Sequence, residues 1–173
     1  IWHAPLLYGA PRLRGRTIGL IGAGRIGSGM ALRCKALGLR VLIYDPYQPP
    51  GYEKALGVER CFELESMLRQ SEIVSIHTPL TPETKHILNK ETLRLLPKGA
   101  YVINTARGPC IDLVALMDSI EEGQVSAAGL DVVEREPLDD ERIRSSPNVL
   151  LTPHSAFYSV EGFIEMRTKA GEE

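Results

Sequence analysis

The sequence predicts an α/β protein built on a doubly wound parallel sheet with helices on both faces, and three observations carry that reading. Short apolar runs alternate with helix-period segments along most of the chain, the pattern of repeated βαβ units. The first run, Thr17 to Ile21, stops at a glycine-rich turn, Gly22-Ala23-Gly24-Arg25-Ile26-Gly27. A second run, Val41 to Tyr44, delivers Asp45 to its end, eighteen residues after Gly27.

Residues 1–14 hold Pro5, Gly9 and Pro11 without a sustained period and read as a strap rather than a folded unit. Trp2, the only tryptophan, sits there, placed to cover apolar surface of a neighbouring domain or subunit; His3 reads as a surface or loop group. Strand one is Thr17 to Ile21. After the glycine turn, Ile26, Met30, Ala31, Leu32 and Leu37 recur near helical spacing, and Gly38 ends the helix. Strand two is Arg40 to Tyr44, closed by Asp45-Pro46. Pro49-Pro50-Gly51 is a loop, Glu53 to Leu56 a short helix and Val58 to Cys61 a short strand, and Leu64, Met67 and Leu68 mark one small helix. Ile73 to Ile76 is a buried strand leading into His77-Thr78-Pro79. Lys90 to Leu96 reads as a helix stopped by Pro97 and Gly99, followed by a strand from Ala100 to Ile103. Asp112 to Glu122 reads as a helix with Leu113, Leu116, Met117 and Ile120 on one face, ended by Gly123. Gly129 to Val132 and Val149 to Leu151 are the last strands.

Composition narrows the class. A chain of 173 residues with 43% hydrophobic residues suits one well-buried core. Its formal net charge of -2, with Lys and Arg spread along the sequence, leaves no basic stripe for a phosphate backbone, so direct nucleic-acid binding is not expected. Cys34, Cys61 and Cys110 are odd in number and lack metal-ligand spacing, which reads as reduced thiols with no metal site. No apolar stretch of about eighteen residues suggests a membrane span, and a cytoplasmic protein is expected.

The glycine turn carries chemistry. Gly22 allows the sharp turn out of the strand, Gly24 lets a pyrophosphate approach the backbone, and Gly27 lets the helix pack close to the strand. Unpaired N–H groups of the turn, through Arg25 and Ile26, and the positive end of the helix dipole face the phosphates. The Asp45 carboxylate can accept hydrogen bonds from adenosine ribose hydroxyls and repels a 2′-phosphate. No Arg or Lys lies between Pro46 and Gly51, so NAD is favoured over NADP. This is the Rossmann-type arrangement, whose ligands sit at the carboxyl ends of the strands.

Polar groups gather after those strand ends. Thr78-Pro79, Asn104-Thr105-Ala106-Arg107-Gly108, Asp131 through Glu136-Pro137 and Thr152-Pro153-His154 each follow a strand. Arg107, Glu136 and His154 form a catalytic set. A guanidinium clamps a carboxylate with a planar fork. An imidazole passes a proton to or from a carbonyl oxygen as hydride moves, and a neighbouring carboxylate fixes its tautomer and stabilises its charged form. Together they describe reversible reduction of a 2-oxo acid. Taken singly, Arg107 is equally a helix-end or phosphate contact, Glu136 a solvated turn acid and His154 a core or loop histidine. His77 reads as a loop histidine beside the cofactor pocket, His86 as a surface or loop group. Phe157 and Tyr158 read as packing residues; Glu134, Arg135 and Asp139 to Arg142 read as a solvated face.

Asn104 to Gly108, Leu130-Asp131-Val132 with Glu136-Pro137, and Thr152-Pro153-His154 resemble the signatures of the D-isomer-specific 2-hydroxyacid dehydrogenases, from about Leu13 to His154. The resemblance implies that Arg107 binds the substrate carboxylate, that His154 is the acid/base and that Glu136 is its partner. It also implies that Asp131 and the backbone around Thr105 and Ala106 hold the nicotinamide end. The resulting cofactor set is Gly22, Gly24, Arg25, Ile26, Gly27, Asp45, Thr78, Pro79, Thr105, Ala106, Arg107, Asp131 and His154. The implied partners are a small 2-oxo or 2-hydroxy acid and a second copy, as a homodimer through the cofactor domain.

Within that family, Tyr44 to Tyr47, His154 to Ser159 and Glu165-Met166-Arg167 are similar to the C-terminal-binding proteins, NAD-dependent transcriptional corepressors. That similarity implies an alternative, an NAD-sensing dimerisation and binding module with a nuclear location. Two departures stand out. Asp112 is followed by Leu113 where the family usually has an acid pair, and Pro109 after Gly108 stiffens the loop. Family enzymes carry a substrate domain of about a hundred residues, so the expected division is 1–14 as a lead-in segment from that absent domain, 15–154 as the NAD-binding domain and 155–173 as the start of the return.

Overall fold

Seven short strands lie side by side in one sheet. A computed structural model describes residues 12–172; the strap before them, with Trp2 and His3, lies outside the described residues. In chain order the elements are β1 (Thr17–Ile21), α1 (Arg25–Ala36), β2 (Arg40–Tyr44), α2 (Tyr52–Leu56), β3 (Glu59–Arg60), α3 (Leu64–Leu68), β4 (Ile73–Ile76), α4 (Lys90–Leu93) and β5 (Ala100–Asn104). A 3-10 turn at Gly108–Cys110 leads into α5 (Leu113–Glu121), β6 (Val125–Leu130), α6 (Glu141–Arg144), β7 (Val149–Leu151) and α7 (Val160–Glu172).

The sheet order is β3-β2-β1-β4-β5-β6-β7 and every pairing is parallel. The chain reverses its direction of travel between β1 and β4, which makes a crevice at their carboxyl ends. Register puts the last residues of six strands level: Ile21 pairs with Tyr44 and Ile76, Ile76 with Asn104, Asn104 with Leu130 and Leu130 with Leu151. The next residue in each case is Gly22, Asp45, His77, Thr105, Asp131 or Thr152. One row of loop starts therefore crosses the sheet.

Both faces are packed. One core gathers Ile21, Leu42, Val74, Ile76, Val102 and Leu130 under α3, α4 and α5, with Met67, Leu93 and Leu116 from those helices. The other sets Ile18, Leu20, Val41 and Ile43 against Ala31 and Cys34 of α1. Strands buried on two faces read as continuous apolar runs, which is why the sequence marks them so plainly.

Several elements differ from expectation. The buried face of α1 is Gly27, Ala31 and Cys34, whereas Ile26, Leu32 and Leu37 are exposed. Small residues win because α1 lies close on the sheet: a Cβ on Gly27 would run into the carbonyl oxygen of Gly22. Strand β6 starts at Val125 and leaves the sheet after Leu130, so Asp131 and Val132 belong to a buried loop. Strand β3 is only Glu59–Arg60, and α4 ends at Leu93, with Leu96 buried in the turn beyond it.

The acidic stretch after Leu138 is not merely a solvated face. Asp140 caps α6 by accepting from the Arg142 N–H, and the Arg142 guanidinium bridges Asp118 at 2.7 Å and Glu121 at 2.8 Å, tying α6 to α5. Helix α7 is mostly exposed and carries a Glu165–Lys169 pair at 3.7 Å.

Gly19, mid-strand in β1, shows how tightly the first core is closed. A Cβ there would collide with Ser71 Oγ and press on the Met67 side chain. Gly19→Ala is expected to lower the unfolding free energy by about 1–3 kcal/mol, read from urea midpoints. Adding Ser71→Ala removes the oxygen, and the pair should destabilise by less than the sum of the single changes.

Candidate active site

The crevice between β1 and β4 is the first half of the site. A cavity of about 200 Å³ there is lined by residues including Gly22, Gly24, Asp45, His77, Thr78 and Pro79. Gly22 has φ +93°, a left-handed conformation that favours glycine. Gly24 is different. Its φ is -72° and an added Cβ would meet nothing within 4 Å, so no packing in the protein asks for glycine there. What its missing side chain keeps clear is the space over the start of α1, a helix with no side-chain cap. Arg25 and Ile26 are exposed at that start.

The Asp45 carboxylate is held from two sides. Oδ2 accepts from the Ala23 N–H at 2.8 Å and Oδ1 from the Tyr47 N–H at 2.9 Å. Across the crevice, Ser75 Oγ and His77 Nε2 lie 3.0 Å apart, and burial pushes the His77 pKa down, which keeps it neutral. Thr84 Oγ1 donates to the Pro79 carbonyl and closes the turn that follows.

The second half lies at β5, β6 and β7. Glu136 Oε2 sits 2.8 Å from His154 Nδ1. An ionised carboxylate only accepts, so the proton is assigned to Nδ1 and Nε2 is left for another partner. The His154 bond holds the Glu136 pKa below the usual carboxylate range, against the opposing effect of burial, with help from the Val133 N–H. His154 itself has φ +52°, a strained conformation for a non-glycine residue. A cavity of about 430 Å³ adjoins the pair, lined by Leu138, Arg144, Leu151 and Pro153 among others.

Asp131 imposes that conformation. Its carbonyl accepts from the His154 N–H at 2.8 Å. The carboxylate accepts from Thr152 Oγ1 at 2.5 Å, the Ser155 N–H at 2.8 Å and the Ala156 N–H at 2.9 Å. Burial raises the Asp131 pKa, but these donors, with His154, outweigh it, and the group lies below its ordinary value. The resemblance assigned Asp131 to the nicotinamide end; here its carboxylate is engaged by the loop that carries His154.

Arg107 stands apart from that pair. It is exposed, its Nη1 donates to the Ala106 carbonyl at 2.6 Å, and among the described residues no hydrogen bond joins it to Glu136 or His154. Its loop is shaped by Asn104, a fully buried side chain that accepts from the Ala106 N–H and donates to the Arg107 carbonyl. Thr105 is exposed beside it. Gly108 then packs so closely that a Cβ would overlap the Val133 carbonyl, which brings the Arg107 loop against the Glu136 loop.

Asn104, Thr152 and Glu134 shape the loops around the site without standing out in the sequence. Glu134 is exposed as expected, and it is also paired: Oε1 lies 2.6 Å from His86 Nε2 while Oε2 accepts from the Leu113 N–H. A buried amide after a strand and a Thr two residues before His154 are signals that could have found the first two. Nothing local points to the His86–Glu134 pair, 48 residues apart.

The residues present fit NAD. Open space at Gly24, the uncapped start of α1 and the fixed Asp45 carboxylate suit phosphates and ribose in turn. Among the described residues, no three His, Cys, Asp or Glu side chains group to hold a metal ion, and no helix is long and apolar enough to cross a membrane.

Comparison with known proteins agrees. Residues 1–156 match the family described as D-isomer specific 2-hydroxyacid dehydrogenase, NAD binding domain. A glyoxylate reductase of Korarchaeum cryptofilum is 43% identical over 161 residues, covering 92% of this chain and 48% of that protein. The apo D-mandelate dehydrogenase of Rhodotorula graminis superposes with a TM-score of 0.86 at 34% identity, over 92% of this chain and 47% of the other. D-lactate dehydrogenase with NAD+ from Lactobacillus jensenii gives 0.82 at 32% identity, over 92% and 52%. The chain spans about half the length of the relatives it matches.

The depressed pKa values of Asp131 and Glu136 set the sign of a pH effect. Each binds its proton less readily folded than unfolded, so its contribution is present above the unfolded value and lost as pH falls through the folded one. The urea midpoint should stay level from pH 7 to about 5 and drop below about pH 4. Asp131→Asn, which puts an NH2 group where a carboxylate oxygen accepts from the His154 loop, should cost about 1–3 kcal/mol at neutral pH, and its gap to wild type should narrow in acid.

Proposed function

The chain belongs to the D-isomer-specific 2-hydroxyacid dehydrogenases, as an NAD-binding domain of that family, and from that premise we propose that it serves hydride transfer between NAD(H) and a D-2-hydroxy acid or 2-oxo acid. The observation that carries this reading is the Glu136–His154 hydrogen bond at 2.8 Å, on the same row of loop starts as the glycine turn. The glyoxylate reductase name of the archaeal relative supports a small 2-oxo acid as the substrate.

The bound dinucleotide supplies the hydride donor or acceptor. Arg107 holds the substrate carboxylate with its planar fork and so aims C2 of the substrate at the cofactor cleft. Protonated His154 gives a proton from Nε2 to the C2 oxygen during reduction and takes it back during oxidation. Glu136 keeps the proton on Nδ1 and holds the ring with Nε2 free for the substrate. Asp131 holds the loop that presents the ring. Gly22 to Gly27 receive the pyrophosphate, Asp45 the adenosine ribose, and Thr78, Pro79, Thr105 and Ala106 line the path to the nicotinamide.

In this reading residues 15–154 are the cofactor domain, and the flanking segments 1–14 and 155–173 cross to a substrate domain contributed by the longer protein. A cytoplasmic location and a homodimer through the cofactor domain go with it on the family likeness. The comparisons lend no support to the corepressor-like alternative.

In the intact protein, His154→Asn is expected to lower kcat by about 10²–10⁴-fold while NADH affinity stays unchanged. Arg107→Gln removes a charge-assisted fork and should raise KM for the acid by about tenfold or more. Steady-state NADH oxidation with glyoxylate or hydroxypyruvate, together with fluorescence titration of NADH, checks both. Full turnover in the His154 variant would contradict the assignment.

A further inference from the structure

The loop between β2 and α2 forms the wall of the crevice beside Asp45, and three of its residues, Pro46, Pro49 and Pro50, have no backbone N–H. Its carbonyls are gathered from behind by one side chain on the edge strand β3. Arg60 donates from Nη2 to the Asp45 carbonyl at 2.8 Å and the Gln48 carbonyl at 2.9 Å, and from Nη1 to the Pro49 carbonyl at 3.1 Å. The Arg60 side chain is only 8% exposed, with Glu53 Oε2 4.0 Å from Nη1 and the Phe62 ring centroid 5.1 Å from its guanidinium carbon. Toward the cleft, the same loop is tied to the glycine turn. Gln48 Nε2 donates to the Ala23 carbonyl at 3.0 Å, while the Ala23 and Tyr47 N–H groups fix the two Asp45 oxygens.

We propose that Arg60 is the positioning residue that fixes the Asp45 carboxylate for recognition of the adenosine ribose hydroxyls. The proposal rests on the reading of Asp45 as the ribose acceptor. A guanidinium spreads its donors over a rigid plane and can span three carbonyls at once. A lysine ammonium is a point charge on a flexible stem and cannot hold all three. With the loop pinned, each Asp45 oxygen spends one lone pair on backbone and keeps the other aimed at the ligand, so little rotamer freedom is lost on binding. With the loop released, the carboxylate leaves its place against Ala23 and the hydroxyls lose their acceptor.

The test is calorimetric titration of the full chain with ADP and with 2′,3′-dideoxy-ADP, which lacks the groups Asp45 would read. Wild type should prefer ADP. Arg60→Lys should weaken ADP by about tenfold, the worth of a hydrogen bond to a charged group, and leave dideoxy-ADP unchanged. Gln48→Ala, which loosens the loop without opening the Arg60 pocket, should give the same selective loss on a smaller scale. Equal weakening of both ligands by these variants, or no change in ADP affinity, overturns the proposal. A wild-type chain that binds both ligands alike removes Asp45 as the ribose acceptor, and the role of Arg60 falls with it.

Discussion

Level strand ends are the constraint on which the rest depends. A parallel sheet sends all its carboxyl ends the same way, and here the pairing register sets six of them in one row. Loops that start together can share a ligand longer than any one of them could hold. The glycine turn, Asp45, the Arg107 loop and the Glu136–His154 pair are far apart in sequence, and each follows a strand that ends in this row. The register itself is protected by close packing on both faces, because slipping one residue would exchange the side chains of the two cores and misfit both.

Buried polar side chains then turn loop starts into fixed geometry. Asn104 shapes the Arg107 loop, Asp131 the His154 loop, and Arg60 the Asp45 loop, each by bonding backbone groups that would otherwise be unpaired. Burying such groups costs several kcal/mol when they are unpaired and is offset only when most partners are in place. That dependence makes the loops rigid in one arrangement. Rigid donors and acceptors suit hydride transfer, where stabilisation comes from groups that need not reorganise as charge shifts. The positive φ of His154 belongs to the same pattern, a strained residue held by its surroundings beside the proposed chemistry.

Much of this was legible in the residues. The glycine turn could be read because Gly22 and Gly27 answer different steric demands and Gly24 answers none within the protein. Two-faced burial made β1, β2, β4 and β5 plain, and Asp112 opens α5 where expected, its side chain accepting from the Ala115 N–H. The face of α1 was misjudged because periodicity weighs large apolar residues, while close approach selects Gly27, Ala31 and Cys34. Strand β6 begins earlier than the sequence suggests because Ser126 and Ala127 look like loop, and the bonds by which the Asp131 carboxylate braces the His154 loop span more than twenty residues. Long-range pairs such as His86 with Glu134 and Arg142 with Asp118 leave no local trace.

The central question is whether a dinucleotide lies along that row of loop starts. Titrating the ¹⁵N-labelled chain with NAD+ and following backbone amide shifts by NMR would decide it. The predicted result is saturable shifts concentrated at Gly22 to Gly27, Asp45, Thr78, Thr105 to Arg107 and Asp131 to His154, with the amino ends of the strands still. Shifts at the opposite edge of the sheet, or none at saturating cofactor, would contradict it.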